Sequence, residues 1–168
     1  IRQDLNDLKI AQTTSPFSAP ALLDPSVAGA VILAIGTRLT GEEQRNPNGA
    51  QIFRDKLGTF VLPEDFSLED DPAAKAFGEE ALAGHYDFDD QGIAAQKVRL
   101  VEKGRLNALL LSRYPVIGTN HSNGHGRAAV GHAPVGYPGN LFLRSENPAS
   151  QAKLLDLLRQ ECRRRAKP

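Results

Sequence analysis

The sequence predicts a protein of the α+β class, on three observations. An apolar stretch from Val27 to Ile35, opened by Asp24-Pro25 and closed by Gly36, reads as a helix. Residues 94–112 alternate and then double back through Glu102-Lys103-Gly104, which reads as a β-hairpin. Near the end, Asn147-Pro148 and Ser150 precede a leucine-rich stretch with helical spacing.

Taken in order, Ile1, Leu5 and Leu8 recur at helical intervals, so residues 1–12 predict a short amphipathic helix. A Ser/Thr/Pro linker covers residues 13–20, and Pro20-Ala21-Leu22-Leu23 is a short strand candidate. Asp24 can accept the orphan amide hydrogen bonds of the next helix, and Pro25 suits its first turn. That helix is small and apolar on nearly every side, which predicts burial. Residues 37–49 are polar and loop-like. Leu57 to Leu62 leans toward β-structure and stops at Pro63, while Phe66-Ser67-Leu68-Glu69 alternates like a half-buried strand. From Glu64 to Asp90 the charge is acidic apart from Lys75, a pattern that usually marks a solvated surface.

In the hairpin, Val98 and Leu100 face one way, and the chain returns through Leu106, Leu109, Leu110 and Leu111. Residues 118–139 are glycine-rich. Asn140 to Arg144 predicts another strand. The last helix carries Leu154, Leu155, Leu157, Leu158 and Cys162 on its apolar side and ends in Arg163-Arg164-Arg165, where cations suit the carboxyl end of the helix dipole. Residues 1–19 are thus expected to form a helix and linker, and residues 20–168 the domain proper, incomplete as an excised segment of a longer protein would be.

Composition excludes several classes. The 168 residues are 40% apolar and 24% charged, which is ordinary for a folded protein and not for a disordered one. Twenty basic and twenty acidic residues cancel, so no global charge favours nucleic acid or anionic membrane. The Val27–Ile35 stretch is too short to span a bilayer. One cysteine, Cys162, allows no internal disulfide and no cysteine-built zinc finger. The chain has no methionine, which points to an excised or processed segment of a longer protein. Its opening, Ile1-Arg2-Gln3-Asp4, is neither a signal nor a transit peptide, and a cytoplasmic setting is expected.

The most suggestive chemistry lies in Ser122-Asn123-Gly124-His125-Gly126-Arg127. Glycines allow backbone amides to converge on an anion or a peptide, Arg127 offers a planar fork to a carboxylate, and Asn123 can pair with a peptide group. A surface loop with turn glycines would look the same. His121, His125 and His132 have spacings that suit one helix face, but Gly124, Gly126 and Gly131 argue against a helix, so a metal cluster is not expected. His125 reads as a hydrogen-bonding group and His85 as structural. Asp87, Asp89, Asp90 and Gly92 resemble part of a calcium loop, but the closing glutamate is missing, with Val98 in its place. Asp89-Asp90 is expected to cap a turn that leads into the hairpin. Cys162 lies beside arginines that would favour a thiolate, though core packing is its expected role. No P-loop, nucleophile elbow, dinucleotide fingerprint or His-Glu-x-x-His motif is present.

An ordered set of segments resembles the C-terminal domain of the TldD/PmbA family of peptide-processing proteases, once labelled modulators of DNA gyrase. The set comprises Asp89-Asp90-Gln91-Gly92, Gln96, the hairpin from Val98 to Leu106, Ser112-Arg113-Tyr114-Pro115, and Ser122 to Arg127. Upstream, Gly36 to Gln44, Leu57-Gly58-Thr59, Val61-Leu62-Pro63 and Asp70-Asp71-Pro72 also fit, as does Asn140-Leu141 after the glycine loop. The likeness spans residues 20–166. It implies an α+β fold rich in mixed β-sheet, with the apolar helix buried and a helix at the C-terminus. It also implies two-domain, dimeric relatives whose active subunits bind zinc through a His-Glu-x-x-x-His helix and a late cysteine. With Gly36 placed on the family's glycine, Ile32 and Thr37 fall on the two histidines and Leu33 on the glutamate. Isoleucine and leucine cannot ligate zinc or move a proton. Cys162 comes too early to be the late ligand.

The resemblance therefore implies a member of the metal-free, PmbA/TldE-like side, with no cofactor of its own. It would help bind and process a peptide substrate, as a homodimer or beside a TldD-like subunit, without nucleic acid or membrane. Asn123 and Arg127 are the expected peptide contacts, with His125, Gly124 and Gly126 in the same loop, and Asp89 and Gly92 would shape the neighbouring turn. No catalytic residue is expected, and whether the chain is itself an enzyme stays open. Two alternatives remain: a zinc peptidase with ligands not identifiable in this chain, and a purely structural partner subunit.

Overall fold

The computed structural model describes residues 2–13, 15–116 and 121–165. In chain order its elements are α1 (Arg2–Ile10), α2 (Pro25–Gly36), α3 (Gly41–Arg45), β1 (Phe66–Asp70), β2 (Ala76–Phe77), β3 (Glu80–Ala81), β4 (Val98–Glu102), β5 (Arg105–Leu106), β6 (Gly126–Arg127), β7 (Val135–Gly136), β8 (Leu141–Ser145) and α4 (Gln151–Arg164). They fall into two compact units, Leu23–Pro148 and the paired ends Ile1–Leu22 with Ala149–Pro168. The C-terminal helix thus groups with the N-terminal segment, and not with the residues that carry the sheet.

The larger unit is built on a four-stranded antiparallel sheet in the order β5-β4-β1-β8. The β4–β5 hairpin turns through Lys103 (φ 47°) and Gly104 (φ 77°), the paired left-handed residues of a type I′ turn. Lysine tolerates that conformation poorly and asparagine well. Lys103→Asn should therefore raise stability by about 0.5 kcal/mol, read from the urea midpoint. The core comprises Leu68 of β1, Val98, Leu100 and Val101 of β4, Leu106 of β5, and Leu39 and Leu110 from loops. Each such leucine contributes about 1.5–3 kcal/mol through burial.

Several expected elements take another form. The return strand stops at Leu106. Leu109-Leu110-Leu111 lacks alternation, and its backbone is served instead by Leu39, Gly41 and the Asn123 side chain. Residues 57–62 form turns with a single bridge, Phe60 to Arg105, because Gly58 sits at φ 78°. Pro20–Leu23 pairs with nothing among the described residues and is not a strand. Among the described residues the strand ladders are antiparallel, and the isolated bridge between Thr40 and Leu110 is parallel.

Helix α2 begins as expected: the Asp24 carboxylate accepts from Ser26 N (2.8 Å) and Val27 N (3.1 Å). Burial of this helix does not follow. Gly36 alone is buried, while Val27, Val31 and Leu33 are each over two-fifths exposed. Ile32 and Ile35 pack toward the core, and Gly36 lies so close to β8 that a Cβ would strike the Leu141 side chain. A helix apolar on all sides buries only what its neighbours cover, and here one face is covered.

In the smaller unit, α1 and α4 have no buried residue, and Leu154, Leu155 and Leu157 remain exposed. Ser150 caps α4 by accepting from Lys153 N (3.3 Å). At its end Arg164 and Arg165 both reach Glu161 at 2.6 Å, which holds that carboxyl at a pKa of about 2. Among the described residues no helix is long and apolar enough to cross a membrane.

Candidate functional site

The glycine loop is tied to the turn at Asp89, 37 positions earlier in the chain. Asp89 Oδ1 accepts from Gln91 N and Ile93 N, both at 2.9 Å, and Oδ2 accepts from Gly126 N at 2.9 Å. Gly92, at φ 76°, closes that turn by donating to the Asp89 carbonyl. Asp90 continues the tie: its amide donates to the Gly126 carbonyl, and its carboxylate accepts from Ala128 N (2.7 Å) and Arg127 Nε (3.3 Å). Gly126 has no room for a side chain, since a Cβ there would overlap the Gln91 side chain. Gly124 combines φ 74° with a close approach to the Ala94 carbonyl.

Asn123 and His125 are engaged within the domain. Asn123 Oδ1 accepts from Leu111 N and its Nδ2 donates to the Leu109 carbonyl, both at 2.8 Å, so this one side chain holds the irregular leucine segment in place. His125 is fully buried. Its Nδ1 lies 2.9 Å from the Asn123 carbonyl, which fits an N–H donor there. Its Nε2 then presents a lone pair 3.6 Å from Asp70 Oδ2 and has no hydrogen-bond partner among the described residues. Asp70 is also fully buried and accepts from Gly139 N and Asn140 N, both at 2.7 Å. Burial pushes the Asp70 pKa up to about 6 against the pull of those amides, and lowers that of His125 to about 4.

Arg127 is the member of the loop that reaches an open space. Its guanidinium stacks 4.4 Å over the Tyr86 ring, Tyr86 in turn donates its hydroxyl to the Gly124 carbonyl (2.9 Å), and Asp90 holds Nε. Burial raises the Tyr86 phenol well above its ordinary value. Arg127 lines an open cleft of about 870 Å³ with His85, His132, Tyr137, Gly84 and Gly139 among its neighbours. A second groove, about 540 Å³, runs between α2 and β8, lined by Ala28, Gly29, Ile32 and Leu33 on the helix and Leu141 to Leu143 on the strand. Both are bounded by Ala83, Gly84 and Gly139.

The outer side of β8 is a free sheet edge. Glu146 N bonds to the Asp65 carbonyl and Asp71 N to the Asn140 carbonyl, which fixes the alternation of the β1–β8 ladder. Phe142 and Arg144 therefore direct their backbone groups to β1, while Leu141, Leu143 and Ser145 direct theirs outward. No strand pairs with that side among the described residues.

The positions in α2 and at its C-cap that align with the family's zinc motif do not fit the metal. Ile32 and Leu33 carry no donor atom, and the Thr37 hydroxyl donates to the Ala34 carbonyl at 3.0 Å. Among the described residues no three His, Cys, Asp or Glu side chains are grouped so as to hold a metal ion. Sequence reasoning missed Asp70, Tyr86 and the β8 edge as parts of this region. Asp70 and Tyr86 act through partners distant in sequence, and an edge is a property of the assembled sheet.

A family model described as the PmbA/TldA metallopeptidase C-terminal domain matches residues 16–161. A metalloprotease of Methanothermobacter thermautotrophicus is 32% identical over 97 residues, 57% of this chain and 20% of that protein. One of Archaeoglobus fulgidus is 27% identical over 158 residues, 92% of this chain and 34% of its own length. Among solved structures, TldE from Thermococcus kodakarensis superposes with a TM-score of 0.58 at 19% identity, covering 77% of this chain and 28% of that one. A protein described as a modulator of DNA gyrase from Thermotoga maritima gives a TM-score of 0.53 at 23% identity, over 71% and 25% of the two chains. The chain thus spans about a fifth to a third of the relatives it matches. With the family model running through both the Asp89 turn and the glycine loop, the chain belongs to the PmbA/TldD family, as its C-terminal domain.

Proposed function

We propose that this domain binds an extended peptide for proteolytic processing, as a metal-free member of its family that pairs with a second copy or with a TldD-like subunit. The observation that carries the reading is the free edge of β8 beside an apolar groove. An extended peptide can add to such an edge through main-chain hydrogen bonds, with alternate side chains in the groove. Arg127 provides a polar contact. Asp89, Gly92, Asn123, Gly124, His125 and Gly126 hold the Arg127 loop in shape. The substitution of Ile32, Leu33 and Thr37 at the zinc-motif positions supports a binding rather than a hydrolytic role, and a cytoplasmic setting accords with it. Metal analysis with a protease assay separates this from the zinc-peptidase alternative: stoichiometric zinc, lost with proteolysis on chelation, would favour the enzyme.

Gly29 provides the direct test. It lines the groove, and a Cβ built on it meets nothing within 4 Å. Gly29→Leu should fold at least as well, because a mid-helix glycine costs about 0.5–1 kcal/mol. It should also fill the groove and weaken a fluorescently labelled peptide about tenfold or more in anisotropy titrations. Undiminished binding by a folded Gly29→Leu protein would remove the groove from the account.

A further inference from the structure

We infer that the Arg127 cleft anchors the C-terminal carboxylate of the bound peptide, an inference that rests on strand addition at β8. β8 runs from Leu141 to Ser145, and antiparallel pairing, the more stable kind per residue, sends an added strand the opposite way. The carboxyl end of that strand leaves the groove past Leu141. There Gly84 and Gly139 bound both the groove and the cleft, so the end of the peptide is delivered toward Arg127.

Among the described residues the cleft lining includes Arg127, His85 and His132 and no aspartate or glutamate, although residues 64–90 are rich in both. Arg127 is held on one side only. Asp90 takes Nε and Tyr86 supports the flat face, while no second carboxylate pairs with the guanidinium among the described residues. A guanidinium fixed in this way can offer its terminal nitrogens to a carboxylate as a planar fork. Beside the opening, the His85 Nε2 lies 3.8 Å from Asp87 Oδ1. Gly84 and Gly139 pack backbone against backbone at this boundary, since a Cβ on Gly84 would collide with the Gly139 carbonyl.

The experiment uses the 168-residue chain and an N-terminally labelled hexapeptide of alternating valine and alanine, made once with a free C-terminus and once as the amide. The free acid is expected to bind about ten- to a hundredfold more tightly than the amide, the scale of one charge-assisted contact. In Arg127→Gln the two forms should bind alike, with the far-UV spectrum unchanged. Equal binding of acid and amide by the unaltered chain would overturn the anchor and leave strand addition standing. Failure of both forms to bind would overturn both. An acid preference that survives in folded Arg127→Gln would show that another group reads the carboxylate and would refute the role of Arg127.

Discussion

Asp89→Ala is expected to lower the stability of the domain by about 3–5 kcal/mol and to free the glycine loop. The reasoning is local. One carboxylate, 5% exposed, accepts from the amides of Gln91, Ile93 and Gly126. Alanine leaves those donors without an acceptor in a place water reaches poorly, and an unsatisfied buried donor costs about 1–3 kcal/mol. Asp89→Asn should lose less. It keeps one carbonyl oxygen, though its amide must face an N–H. The urea midpoint measures both variants. A loss below about 1 kcal/mol in Asp89→Ala would mean that the loop holds its shape by other means. Because Gly126 and Arg127 are adjacent, the alanine variant should also lose the discrimination between free and amidated peptides.

The second large effect concerns Asp70 and His125 and appears as a pH dependence. The folded-state pKa of Asp70 is raised to about 6, so its contribution is fully present below the unfolded value and is lost as pH rises through 6. That of His125 is lowered to about 4, so the folded state resists protonation, and stability is lost as pH falls from 6.5 toward 4. Each shift is worth about 3 kcal/mol, and between pH 4 and 6 the two act in opposite directions. The contributions of these two groups should therefore nearly cancel in that window in the unaltered domain. Asp70→Asn leaves the histidine alone, and its stability should fall as pH drops from 6.5 to 4. His125→Gln leaves the carboxyl alone, and its stability should rise as pH drops from 6 to 4. Urea melts at closely spaced pH values read the slopes, and slopes of the same sign in the two variants would contradict the assignment.

Where short-range chemistry decides an element, the sequence reveals it. Asp24-Pro25 starts α2, Lys103-Gly104 turns the hairpin and Ser150 caps α4, each through contacts a few residues apart. The Asp89 turn was legible for the same reason, as was the strand at β8. The exposure of α2 was not legible, because composition reports how apolar a helix is and not what lies against it. The segment from Leu109 to Leu111 looked like a strand, yet its hydrogen bonds go to Leu39, Gly41 and Asn123, far away in sequence. Within the candidate site, the glycine loop and Arg127 stood out by residue type. The partners that give them meaning, Tyr86 over Arg127 and Asp70 beside His125, emerge only when distant segments meet.

Addition of an extended peptide to the open edge of β8 is open to direct measurement. Amide hydrogen exchange along residues 141–145, with and without the free-acid hexapeptide, tests it at single-residue resolution. Slower exchange is expected at Leu141, Leu143 and Ser145, whose amides face outward, with little change at Phe142 and Arg144, which already bond to β1. Exchange at Leu141, Leu143 and Ser145 that stays unchanged under saturating peptide would contradict it.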